Sequence, residues 1–163
     1  MQKHTVSFDL WVFESLEKLS EADRDLMVIA EKARVNAYAP YSNFQVGAAI
    51  LLQNGEVVIG SNQENASYPC GLCAERVAIF QAGAKFPGIT IEKIAVTATA
   101  TYNATAKPAA PCGSCRQSIY EYQKKQEKPI QILFMGAVGE VYKCNSITDL
   151  LPLAFGNEFL TLK

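Results

Sequence analysis

The stretch Pro69–Ala84 reads PCGLCAERVAIFQAGA, and the stretch Pro111–Gln123 reads PCGSCRQSIYEYQ. Each begins with a Pro-Cys-x-x-Cys motif and continues into a segment typical of a helix, Cys73–Ala84 in the first and Cys115–Gln123 in the second. Both motifs fall where a predicted strand gives way to a helix, which is where the functional loops of α/β proteins lie. The two motifs therefore predict an α/β layered fold with a site built from helix starts.

The sequence around these motifs predicts the remaining elements. Apolar residues at helical spacing predict a helix over Ser15–Ala37, and the capping-box pattern Ser20–Asp23 predicts a break near Ser20. Asn54-Gly55 predicts a hairpin, and residues 1–13 alternate like an edge strand or an arm. No repeat or linker divides the chain, so we expect a single domain over residues 1–163. A short helix is predicted near the end of the chain, over Ile147–Leu151. Five apolar runs predict strands: Phe44–Leu52, Val57–Gly60, Ile91–Ala98, Ile130–Met135 and Glu140–Cys144.

Composition narrows the class of protein. The 163 residues are 49% hydrophobic with a net charge of −1, typical of a globular domain. No apolar run approaches the roughly 20 residues of a membrane span, and the N-terminal segment lacks a signal-peptide pattern. We therefore expect a cytoplasmic protein with no membrane partner. Because no basic surplus is present, we expect no nucleic-acid partner and a small, nearly neutral substrate.

The cysteines predict a metal site rather than disulfides. Five cysteines occur in a chain with no secretion signal, and a thiol at a helix start ionises easily. Three thiolates, from Cys73, Cys112 and Cys115, suit a tetrahedral zinc ion. Their combined charge with the metal is −1, so a nearby cation is needed, and Arg76 is preferred to Arg116 for this role.

Glu75 is the candidate proton carrier. It lies two residues after Cys73, on a different side of the first helical turn, so it need not bind the metal. A carboxylate in that position can take a proton from water at the metal and pass it to a substrate nitrogen.

Cys70 leaves a second interpretation open. With Cys70 as a fourth ligand, the two Cys-x-x-Cys pairs would form a closed structural zinc site, as in zinc ribbons. Ribbon pairs are usually about 15–20 residues apart, whereas 38 residues separate Cys73 from Cys112. The spacing therefore favours the open site.

The order Cys-x-Glu followed by Pro-Cys-x-x-Cys is the signature of zinc deaminases. Beyond this signature, residues 22–160 resemble the cytidine deaminase family, in its small homotetrameric, zinc-dependent form; the first 20 residues are an N-terminal extension outside the resemblance. Cys70 and Gln63 depart from the family pattern. The matching runs are Pro40–Ala49, Asn62–Ala66, Tyr68-Pro69, Gly71–Arg76, Pro111–Gln117 and Leu150–Gly156.

The resemblance implies a three-layer cytidine-deaminase-like fold with a mixed sheet, and one Zn²⁺ per chain. It implies hydrolytic deamination of cytidine and 2′-deoxycytidine to uridine and 2′-deoxyuridine, with release of ammonia, in pyrimidine salvage. It also implies a homotetramer with shared active sites. The alternative within the enzyme class is a blasticidin-type nucleoside deaminase. The implied substrate contacts are Phe44 on the base, Asn62 and Glu64 on the ribose 3′-hydroxyl, the Ala74 backbone N–H on a pyrimidine oxygen, and Tyr68 and Phe155 in a neighbouring subunit's pocket.

Overall fold

The computed structural model describes residues 1–160, which contain a six-stranded mixed sheet. The strands are β1 (Trp11–Phe13), β2 (Phe44–Leu52), β3 (Val57–Ser61), β4 (Ile91–Ala100), β5 (Gln131–Met135) and β6 (Val141–Cys144). Their order in the sheet is β1-β6-β5-β4-β2-β3. Of these five pairs, β4–β5 is parallel and the other four are antiparallel.

Four α-helices cover the two faces of the sheet: α1 (Glu21–Arg34), α2 (Ala74–Lys85), α3 (Gly113–Gln126) and α4 (Ile147–Leu150). On one face, Met27 and Ala30 of α1 pack against Ala49, Ala95 and Leu133 of the sheet. On the opposite face, the strands bury alternate residues such as Ile50 and Ile132 beneath α2, α3 and α4. The fold therefore has three layers, as the sequence predicts.

The N-terminal region differs in detail from the prediction. The predicted long helix is divided as expected, because Leu16–Lys18 forms a 3-10 turn and Ser20 caps α1 by accepting the Asp23 N–H at 3.2 Å. The helix ends at Arg34, three residues earlier than predicted. Of the residue 1–13 segment, only Trp11–Phe13 pairs with β6. This edge strand is the sixth strand, one more than the approximate five predicted.

Two glycines allow α1 and α2 to approach the sheet closely. A Cβ atom at Gly47 would collide with the backbone of Ala30 and Arg34 in α1. A Cβ atom at Gly60 would collide with the backbone of Ala74 and Ala78 in α2. The start of α2 is therefore fixed against the end of β3.

The chain topology brings the starts of α2 and α3 to one edge of the sheet. Both β3 and β4 pair antiparallel with β2, so β3 and β4 run in the same direction. Helix α2 follows β3 and helix α3 follows β4. Both helices consequently begin at the same edge, where the N-terminal end of β2 also lies. Within residues 1–160, no helix has the length and apolar content needed to cross a membrane.

Candidate metal centre and substrate cavity

Three cysteine thiols meet where α2 and α3 begin. Cys73 is the N-cap residue of α2, Cys112 is the N-cap residue of α3, and Cys115 lies in the first turn of α3. Neither N-cap side chain accepts a capping hydrogen bond from a backbone N–H of its own helix, so both sulfurs are free to face the other thiols. The Cys73–Cys112 Sγ distance is 3.9 Å, the Cys112–Cys115 Sγ distance is 3.5 Å, and all three sulfurs lie within 4.8 Å of one another.

These distances fit a zinc ion. Four tetrahedral ligands at the usual Zn–S distance of about 2.3 Å place neighbouring sulfurs about 3.8 Å apart. Cys70 lies outside this group: its side chain is exposed and its thiol contacts the Ser67 hydroxyl at 3.6 Å. Within residues 1–160 the thiol cluster therefore has three members. Three thiols leave one tetrahedral position open, as in a catalytic zinc site.

The charges of the cluster also suit a divalent cation. The pKa of Cys73 is lowered to about 5, chiefly because the Cys115 thiol hydrogen-bonds to its sulfur. The same hydrogen bond and burial raise the pKa of Cys115. Cys73 therefore loses its proton readily, whereas Cys115 retains its proton, because two neighbouring thiolates would repel each other at this distance. A bound cation removes that repulsion and lets all three thiolates form.

Arg76 supplies positive charge beside the cluster. Its guanidinium faces Cys73 and Cys115, and its Nη2 donates to the Gly71 carbonyl at 3.2 Å. Its Nε is buried without a hydrogen-bond partner, and a metal-bound thiolate would offer that N–H an acceptor.

Arg116 has a different place in the structure. Its guanidinium donates to the carbonyls of Pro111 and Leu150, both at 2.7 Å. It therefore fixes the entry to α3 and joins it to the end of α4. The charge-balancing role of Arg76 stays a prediction; its guanidinium faces Cys73 and Cys115.

Glu75 lies in the first turn of α2 with 4% of its surface exposed. Burial, together with the negative charge of Cys73, raises the pKa of Glu75 to about 7. A buried carboxyl group with a pKa near neutrality can both accept and donate a proton. Glu75 is outside the group of three thiols but close enough to interact with Cys73 and Cys115, and its role as proton carrier stays a prediction.

A cavity of about 690 Å³ opens above Cys73, Cys112 and Glu75. Four of the predicted substrate contacts line it: Phe44, Asn62, Glu64 and Tyr68. The remaining lining residues are Tyr41, Ser42, Val46, Gln63, Asn65, Gly71, Leu72, Cys73, Glu75, Arg76, Val96, Ala98, Ala109, Ala110 and Cys112.

The polar wall of the cavity is a hydrogen-bonded unit. Asn62 is 8% exposed; its amide accepts the Val46 N–H at 2.8 Å and donates to the Phe44 carbonyl at 2.9 Å. Glu64 accepts the backbone N–H groups of Tyr41 and Ser42 and also the Ser42 hydroxyl. These bonds hold the start of β2, and with it Phe44, against the loop that follows β3.

Two predicted contacts lie outside the cavity lining. Ala74 is fully buried in the core, and its backbone N–H belongs to the first turn of α2, where the helix provides no acceptor. Phe155 is 57% exposed and stacks on Phe159 with ring centroids 5.5 Å apart. Gln117 of α3 donates to the Phe155 carbonyl at 2.9 Å. Within this one chain, Phe155 thus faces outward.

Several residues of the site were not predicted from the sequence. Ser42 and Tyr41 lie in the matched run Pro40–Ala49, yet no role was predicted for them. The signal in the sequence was the turn-forming run Pro40–Asn43. In the structure Asn43, between Ser42 and Phe44, has a left-handed backbone with φ +54°, and this tight turn directs the side chains of its neighbours. Val96 and Ala98, at the end of β4, form an apolar wall that a strand prediction alone does not locate.

Comparison with known proteins identifies the family. The model of the cytidine and deoxycytidylate deaminase zinc-binding region matches residues 20–128, more than half of the chain. The chain belongs to this family of zinc-dependent deaminases. The family, the fold and the enzyme class predicted from the sequence are thereby confirmed.

Individual relatives agree with this assignment. A cytidine deaminase of Halalkalibacterium halodurans is 39% identical over 137 residues, covering 83% of this chain and 96% of that relative. A cytidine deaminase of Sporosarcina psychrophila is 37% identical over 137 residues, covering 83% and 93%. The crystal structure of cytidine deaminase from Burkholderia pseudomallei superimposes with a TM-score of 0.68 at 40% identity, covering 84% of this chain and 100% of that one.

Proposed function

We propose that this chain catalyses the hydrolytic deamination of cytidine and 2′-deoxycytidine, giving uridine or 2′-deoxyuridine and ammonia. The observation that carries the proposal is a cluster of three thiols beside a buried carboxyl group, of which Cys73, Cys112 and Glu75 line one cavity. In this reaction a water adds to C4 of the cytosine ring and the C4 amino group leaves.

Cys73, Cys112 and Cys115 would hold the zinc. When bound, zinc supplies Lewis-acid activation of water at neutral pH. Glu75 accepts a proton from the attacking water and delivers it to N3 of the ring. It then carries the second proton to the leaving amino group, so that ammonia departs. Its near-complete burial holds the carboxyl group in one place during both transfers.

The cavity walls would orient the nucleoside. Phe44 packs on the base, and the backbone N–H of Ala74 at the start of α2 donates to the pyrimidine oxygen. Asn62 retains one amide hydrogen beyond its bonds to β2, and Glu64 retains acceptor capacity. Both therefore support binding of the ribose 3′-hydroxyl.

The charge of the cavity favours a nucleoside over a nucleotide. A 5′-phosphate carries a charge of about −1.5 to −2 and requires cationic partners. Within residues 1–160 the lining includes one basic side chain, Arg76, which already faces the thiols. Glu64 adds a negative charge to the same wall. Deoxycytidine should therefore be turned over in preference to its 5′-monophosphate.

The active form would be a cytoplasmic homotetramer with shared active sites. The cytoplasm suits three reduced thiols, because an oxidising compartment favours disulfides. Tyr68 at the cavity mouth is 77% exposed and Phe155 is 57% exposed, and burial of both in a neighbouring subunit's pocket would remove this apolar surface from water. Light scattering should give a mass near four chains, and a fully active monomer would contradict the shared site.

A turnover assay with zinc measured on the same sample tests the proposed reaction. Cytidine is supplied and the change in ultraviolet absorbance on conversion to uridine is followed. The expected result is turnover with about one zinc per chain. Zinc without turnover of cytidine or deoxycytidine would refute the substrate assignment, and blasticidin-type nucleosides would then be the next substrates to test.

A further inference from the structure

We infer that Ser42 is a positioning residue that orients Glu64 for recognition of a ribose hydroxyl; this rests on the proposed function. Ser42 lines the cavity, and its hydroxyl donates to Oε1 of Glu64. The same hydroxyl oxygen accepts the Phe44 N–H at 3.0 Å. Because a serine hydroxyl has one proton, that proton is committed to the carboxylate.

The two oxygens of Glu64 are held differently. Oε2 accepts two backbone N–H groups, from Tyr41 at 2.9 Å and from Ser42 at 3.2 Å. Oε1 accepts only the Ser42 hydroxyl. Since each carboxylate oxygen accepts about two hydrogen bonds, the remaining acceptor site lies on Oε1. A sugar hydroxyl would therefore bind the oxygen whose direction Ser42 sets.

The bonds to Ser42 also connect Glu64 with the residue proposed to hold the base. Phe44 is anchored through its N–H by Ser42 and through its carbonyl by Asn62. The hydrogen bonds from Ser42 lower the pKa of Glu64, so the carboxylate is kept charged and ready to accept. Ser42 thus fixes the base-binding and ribose-binding groups relative to each other before substrate arrives.

The test compares cytidine with 3′-deoxycytidine in the wild type and in Ser42→Ala. Without Ser42 to direct Oε1, the sugar hydroxyl loses its hydrogen bond to the Glu64 carboxylate. Loss of a hydrogen bond to a charged group typically weakens binding by about tenfold or more. We expect the KM for cytidine to rise about tenfold while kcat changes less than about twofold. The preference for cytidine over 3′-deoxycytidine, measured by kcat/KM, should fall at least about fivefold. Ser42→Thr, which keeps the hydroxyl at an exposed position, should restore both.

A double-mutant cycle separates positioning from a general effect on the loop. In a Glu64→Gln background, Ser42→Ala should add less than about a twofold change, because the group it orients has been altered. Ser67→Ala is the matched control, since within residues 1–160 the Ser67 hydroxyl has one hydrogen-bond partner, the exposed Cys70 thiol; the KM and sugar preference of this variant should equal those of the wild type.

The results that overturn the inference are distinct from a failure of the proposed function. An unchanged sugar preference in Ser42→Ala, with normal turnover, refutes the positioning role. The positioning role is also refuted if Ser42→Ala raises KM and lowers the sugar preference as much in the Glu64→Gln background as it does in the wild type. If the wild-type protein turns over no cytidine nucleoside, the proposed function fails and the inference falls with it.

Discussion

Asp23 holds α1 to two strands that are not adjacent in the sheet. Its Oδ1 accepts Lys93 Nζ of β4 at 2.6 Å, and its Oδ2 accepts Lys143 Nζ of β6 at 2.7 Å. Strand β5 lies between these two strands, so the carboxylate spans it. The Asp23 side chain is 5% exposed, whereas the lysine side chains are 22% and 18% exposed.

We predict that Asp23→Asn lowers the free energy of unfolding by about 2–4 kcal/mol at pH 7. Each hydrogen bond between charged groups contributes about 1.5–3 kcal/mol, and removing one partner of a buried pair costs about 3–5 kcal/mol. The expected loss of unfolding free energy lies in the lower part of these two ranges, because both lysine side chains are partly exposed and water can solvate their ammonium groups after the substitution.

The loss should depend on pH in one direction. Burial alone would raise the pKa of Asp23, but the hydrogen bonds and charges of Lys143 and Lys93 outweigh it and hold that pKa below its usual value. The stabilisation is therefore present above the unfolded-state pKa of about 3.9 and is lost as the pH falls through the folded-state value. The difference between wild type and Asp23→Asn should thus be constant from about pH 5 to 8 and shrink below about pH 4.

Urea unfolding of wild type and variant in the same zinc state, at one fixed protein concentration, measures this difference at each pH. Asp25→Asn is the matched control, because Asp25 is an exposed residue of the same helix, and its effect should stay within about 0.5 kcal/mol. A loss of less than about 1 kcal/mol in Asp23→Asn at pH 7 would refute the reasoning. An equal loss at pH 3 would refute the pH argument alone.

Two further predictions concern the metal centre. Glu75→Gln should retain zinc but lower kcat by about 10²–10⁴, the usual effect of losing acid–base assistance; steady-state kinetics with zinc analysis measures this, and near-normal turnover would contradict the proton-carrier role. Cys112→Ser should weaken zinc binding strongly, whereas Cys70→Ser should leave about one zinc per chain, because the Cys70 thiol contacts Ser67 rather than the cluster. Competition with a chelator measures both affinities, and zinc loss in Cys70→Ser would restore the four-cysteine interpretation.

The sequence predicted the parts of the site that depend on local structure. Both Pro-Cys-x-x-Cys motifs were predicted at helix starts, and Cys73 and Cys112 are the N-cap residues of α2 and α3. Helix α3 begins at Gly113, two residues before the predicted start at Cys115. The Asn54-Gly55 hairpin was also predicted from local sequence, and Gly55 has the positive φ of +84° that such turns need. The two Cys-x-x-Cys pairs, however, left Cys70 open as a fourth ligand. Only the fold shows that Cys70 ends a 3-10 turn outside the cluster.

The remaining features depend on contacts between distant parts of the chain. Ser42 and Glu64 are 22 residues apart, and no local pattern signals a serine hydroxyl on that carboxylate. The alternating residues 1–13 could be an arm or a strand; pairing with the short β6 limits the strand to Trp11–Phe13. The proposed role of Phe155 requires a second copy of the chain, so a single chain leaves that ring exposed.

The topology assigns the two tasks of the proposed reaction to different elements. The thiols, Glu75 and the proposed Ala74 N–H contact belong to the starts of α2 and α3, whereas the proposed ribose contacts and the Phe44 contact with the base belong to the start of β2 and the loop after β3. Gly60 joins these two sets, because β3 and α2 are in backbone contact there. Substitutions in the strand set should therefore change KM first, and substitutions in the helix set should change kcat or zinc content first. Because β3 and β4 share a direction across β2, both sets reach one edge of the sheet, and a single cavity can contain the reaction.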